Sequence, residues 1–191
     1  MKRIADRGAI LAAYVGIGMA LTIGVSFLLI IPIEPLIWLF ALPSGVMIGY
    51  YANARSNRRL GPWHRILANA VFAAAITGLT AAILLLAIKG LFFFADNGYR
   101  DPGLGGSLVC QSGADCVYQR YLDAGRGPEM ASIGVTDAAT FTSFYWREQF
   151  GTAASVFILT VVGGVIGGGL YGVFRPKAEA TSQPGAVPGS V

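Results

Sequence analysis

Charge is what this chain has least of. Only 13% of its 191 residues are Asp, Glu, Lys or Arg, and an ordinary soluble domain carries roughly 25%. Much of its surface must therefore face something other than water. Histidine is reduced to one residue, His64. One imidazole cannot provide the paired axial ligands of a membrane haem, nor a histidine-rich metal centre. No GxSxG, HExxH or Walker sequence is present. These absences favour a chain that is not an enzyme and holds no cofactor, with bound lipid as its expected companion. No N-x-S/T acceptor occurs either.

What is present is long apolar runs. The first covers 8–33 and follows the basic segment 1–7. It is longer than the ~7–15 apolar residues of a signal peptide, so it reads as an uncleaved span. Pro32, Glu34 and Pro35 turn the chain. A second run covers 34–52 and contains Pro43, a source of kinking. The third covers 66–94 and the fourth 150–174. Each approaches or exceeds the ~20 residues that cross a bilayer as helix. The expected fold is an all-α integral membrane protein with four transmembrane helices in a bundle.

The net charge of +4 suggests nucleic-acid binding until its distribution is examined. The segments 1–7, 53–65 and 175–191 hold nine Lys/Arg and two acids, Asp6 and Glu179; the rest of the chain holds five Lys/Arg and eight acids. Basic residues flanking apolar runs are a topology signal. They place both termini and the 53–65 loop in the cytoplasm and 95–149 outside. No nucleic-acid partner is expected. Segment 175–191 is rich in Pro, Gly, Ala and Ser and reads as a disordered tail. Missing glycosylation acceptors and Gly/Ala-rich spans favour a prokaryotic plasma (inner) membrane.

Small residues govern helix packing in lipid. The fourth run carries Gly163, Gly164, Gly167, Gly168 and Gly172 at small-xxx-small spacing; the second carries Gly45 and Gly49, and the third Gly78. They serve either a partner or the chain's own bundle. Glycines surround the fourth helix, which suits crowding from several sides.

The external loop 95–149 is too long to be structureless in a compact protein. It holds the only cysteines, Cys110 and Cys116. A disulfide is their natural reading on an oxidising side, since no histidine accompanies them there as a metal ligand. One helix is expected after Cys116, with Asp115 as its cap and Gly125 as its end. Another starts near Thr136 and Asp137 and either lies on the membrane surface or runs straight into the fourth span, and GRGPEMASIG between them reads as turns. Tyr118, Tyr121, Phe141, Phe144, Tyr145 and Trp146 form either a partner-binding surface or the loop's own core. Glu34 and Lys89 lie near the same membrane boundary and are a candidate ion pair.

With no ionisable group in mid-span, proton-coupled transport is disfavoured. The expected function is a non-catalytic accessory or structural subunit of a larger membrane assembly, its external loop docking or covering a partner. The alternative is a small transporter or channel, alone or as an oligomer. Partners are the lipid bilayer and other membrane subunits or further copies of this chain.

Overall fold

The computed structural model describes residues 6–26, 34–56, 61–95 and 113–174. The expectations for Cys110, for the side chain of Glu34 and for the tail 175–191 lie outside the described residues. Among the described residues six α-helices follow in order: α1 (Arg7–Gly24), α2 (Glu34–Ala54), α3 (Trp63–Ala95), α4 (Ala114–Tyr121), α5 (Gly127–Ser132) and α6 (Ala138–Phe174). The segment Leu122–Arg126, kinked at Gly125, joins α4 to α5. No strand occurs among the described residues.

Three helices, α1, α3 and α6, are long and apolar enough to cross a membrane, the build of a membrane protein. α2 has 21 residues and keeps Pro43 inside it. α1 packs on α2 and α3, and α6 packs on the same two.

The distribution of side-chain size follows from the solvent. In a soluble protein large apolar residues gather inside. Here the face α1 buries is Gly8, Ala9, Ala12, Ala13, Gly16, Ala20 and Gly24, while Leu39, Met47, Ile158 and Val173 point outward, each more than half exposed. Lipid tails are as apolar as leucine, so nothing drives large side chains inward, and close backbone approach becomes the source of cohesion.

α6 shows this on two faces. A Cβ on Gly163 or Gly167 would overlap the Leu42 or Val46 carbonyl of α2, and one on Gly45 or Gly49 would overlap the α6 backbone. On the next face, a Cβ on Gly168 would lie 2.7 Å from the Ala70 Cβ of α3. Gly164 meets Ala74, Gly172 meets the Trp63 ring, and a Cβ on Gly78 would lie 3.1 Å from the Thr160 Cβ. Gly163, Gly164, Gly167, Gly168 and Gly172 sit where α2 or α3 presses on α6, whereas Gly151 and Gly169 face open space.

α6 is one uninterrupted helix of 37 residues. The sequence places the fourth span at 150–174. The structure extends the same helix back to Ala138, so the helix expected to start near Thr136 and Asp137 runs straight into the fourth run.

Candidate functional site

The chemistry-bearing side chains gather at the two ends of the long helices. At one end, residues 113–137 fold into a cap over the end of α3 and the start of α6. Gly113 stands in the cap position before α4 and offers no side-chain bond, so Asp115 lies in the first turn and does not cap the helix. Val117, Tyr118, Tyr121 and Leu122 turn toward a common core with Met130, Val135, Phe141, Tyr145 and Phe93. Gly125, at φ 78°, takes a left-handed conformation that glycine adopts without strain, and the helical path kinks there. GRGPEMASIG is not all turn. It contains α5, with Pro128 in the first turn, where a missing N–H costs nothing.

Asp137 starts α6. Its Oδ1 accepts from the Thr140 amide at 2.8 Å and from the Thr140 hydroxyl at 2.8 Å. These bonds hold its carboxyl below the usual carboxylate range. Phe141, fully buried, sits between Tyr121 and Tyr118, with ring centroids at 4.9 and 5.4 Å. Phe93 joins the cap to α3 by packing on Tyr145 at 4.9 Å and on Trp146 at 5.5 Å. The Tyr145 hydroxyl donates to the Lys89 carbonyl at 3.4 Å.

Arg126 closes the cap. Its Nε and Nη2 donate to the two Glu129 oxygens at 3.0 and 3.1 Å, and Nη2 also reaches Glu148 of α6 at 3.1 Å. Its guanidinium lies 4.6 Å from the Tyr121 ring centroid. The bonds to Glu129, then those to Glu148, push the Arg126 pKa up against its partial burial. Arg126 in turn lowers the Glu129 carboxyl. Burial, aided by the Glu148 carboxylate, pushes the Tyr121 phenol up to about 12.

The six aromatics singled out from the sequence thus share one cluster. Phe141 and Tyr145 are buried in it, and Tyr118, Tyr121, Phe144 and Trp146 are partly buried around it. Cys116 is 1% exposed, and no described cysteine is a free thiol. Lys89 lies in the field of Glu148, a carboxylate not considered as its partner from the sequence. His64 is exposed in the first turn of α3.

The other end is organised by Asp6. Its Oδ1 accepts from the amides of Gly8 and Ala9 at 2.9 and 3.1 Å, capping α1. Its Oδ2 accepts from the Ser56 hydroxyl and, at 3.0 Å, from Asn69 Nδ2. Nearby, Asn53 Nδ2 donates to the carbonyls of Gly49 and Ile66 at 3.1 and 3.0 Å. Sequence reasoning missed this node. An acid just before an apolar run is a visible helix-start signal, but nothing in the sequence announces the partners.

Between the ends, a cavity of about 20 Å³ lies among α1, α2, α3 and α6, beside Phe40, Ser44, Thr77 and Thr160. Such a space holds about one water. Thr77 and Thr160 donate to carbonyls of their own helices, at 2.9 and 2.8 Å. Among the described residues no Asp, Glu, Lys or Arg is buried, and no three His, Cys, Asp or Glu gather as metal ligands. No family model, curated protein or solved structure matches the chain.

Proposed function

We propose that the chain is a four-span accessory subunit of a larger plasma-membrane assembly, with both termini cytoplasmic and the cap outside as its docking element. α2 supplies the fourth span, and a Cys110–Cys116 disulfide pins the start of α4. One observation carries the reading: a cap with its own aromatic core sits on a helix that continues unbroken into an interior free of buried charge among the described residues. A partner meeting this surface finds it already ordered, which lowers the cost of association. The cap's outer side exposes Ile133, with Glu129 and Asp137 within four residues of it.

The alternative, a small transporter or channel, rests on the cavity among α1, α2, α3 and α6, which holds about one water. Purification from native membranes in mild detergent, followed by mass spectrometry, tests the proposal. A partner at fixed stoichiometry, lost on Ile133→Lys, is the expected result. A monomer without companion proteins at native expression level would remove the proposal. Peptide mapping with and without reductant tests the disulfide.

A further inference from the structure

We propose that Arg7, Arg55 and Arg65 form a binding site for the phosphate headgroup of an anionic phospholipid at the Asp6 end of the molecule. This rests on the membrane reading of the helices and is independent of any protein partner.

The three arginines belong to separate segments: the start of α1, the residue after α2, and the first turn of α3. The Asp6 node draws these segments together. Arg7 follows Asp6. Arg55 precedes Ser56, whose hydroxyl Asp6 binds. Arg65 lies one helical turn before Asn69, which exchanges bonds of 3.0 and 3.3 Å with Asp6. Gly8 allows this closeness, since a Cβ there would lie 2.5 Å from the Ser56 amide nitrogen.

Asp6 does not neutralise the arginines it gathers. Its two oxygens accept from two backbone amides, a hydroxyl and a carboxamide. All three arginines are exposed, and none makes an ion pair among the described residues. Arg55 rests 5.6 Å from the Tyr51 ring centroid. Topology alone asks only that basic residues lie on this side. It does not ask that the three segments carrying them be joined at one carboxylate already occupied by internal donors.

The surroundings select a lipid over a free anion. On α1, Leu11 and Tyr14 follow Arg7 at four and seven residues, on the same helical face, and are 46% and 70% exposed. An acyl chain lies along that stripe while the phosphate meets the guanidinium forks, which suit its geometry.

The test uses the full chain in mild detergent and counts retained lipid by native mass spectrometry. Phosphatidylglycerol, phosphatidylcholine and inorganic phosphate are titrated separately and in competition. Preferential retention of phosphatidylglycerol is expected. The R7Q/R55Q/R65Q variant should lose about fivefold in affinity per arginine, or about a hundredfold in all. Arg147→Gln, near the cap, should retain wild-type binding. Equal retention of the two lipids, or a triple variant that binds as wild type, overturns the site. Full competition by inorganic phosphate overturns its assignment to lipid. Where the triple variant does not insert, R55Q alone should show the fivefold loss, and unchanged binding by R55Q counts against the proposal.

Discussion

Gly167 packs so closely on the Val46 carbonyl that an added Cβ would overlap it, whereas a Cβ on Gly169 meets nothing within 4 Å. Two glycines two residues apart on one helix should therefore respond oppositely to the same change. Gly167→Ala must push α2 and α6 apart, and overpacking of this kind costs about 1–3 kcal/mol. Gly169→Ala relieves the low helix propensity of glycine without a clash and should be neutral or stabilising. Thermal unfolding of the two variants in the same detergent checks this. Equal destabilisation would mean that the α2–α6 approach is looser than described. Spacing made these glycines visible in the sequence, but their assignment to α2, α3 or Trp63 depends on which helices become neighbours. The Asp6–Asn69 pairing was beyond reach for a similar reason. It joins residues 63 positions apart, and neither side chain has a local reason to seek the other. Asp6→Ala removes the cap of α1 and leaves Asn69 Nδ2 without its acceptor, so it should cost about 2 kcal/mol or more in the same assay.

Between the residue and the whole chain, the cap behaves as an element of its own. Phe141 fills its centre, so Phe141→Ala should cost about 3–5 kcal/mol of cap stability. Hydrogen exchange should then quicken across 113–137 while α2 keeps its protection. Simultaneous loss in α2 would show that cap and spans unfold together. Asp137 gives the cap a pH dependence with a defined sign. Its folded carboxyl is held low by Thr140. Its contribution is therefore complete above the unfolded value, about 3.9, and fades as pH falls through the lower folded value. The Thr140 amide resonance should titrate with a midpoint below that unfolded value; a midpoint above it would contradict the cap geometry. The start at Asp137 was readable because an acid preceded aromatics at helical spacing. α5 was not, because Gly127 and Pro128 look like a turn until Met130 is seen buried beneath them. Local breakers and a helical first turn use the same residues, and only tertiary burial tells them apart.

At the scale of the molecule, the length of α6 sets where the cap stands. At 1.5 Å per residue its 37 residues extend about 55 Å, and the hydrocarbon core is about 30 Å thick. About 25 Å of the helix must lie outside that core, and the segment 138–149, which carries charge and packs into the cap, supplies about 18 Å of it. Solvent exposure in the bare protein does not reveal this division. Ser143 and Ile158 are both exposed on α6, yet one should face water and the other lipid. Cysteine labelling in nanodiscs separates them, because a thiol reacts through its thiolate and the thiolate forms only where water reaches it. With labelling of the parent chain subtracted, Ser143→Cys should react readily with a water-soluble maleimide, and Ile158→Cys and Ile166→Cys should not. Reaction at Ile158→Cys at the rate of Ser143→Cys would mean that α6 does not cross the bilayer there. The cap would then have no fixed height above the membrane from which to meet a partner.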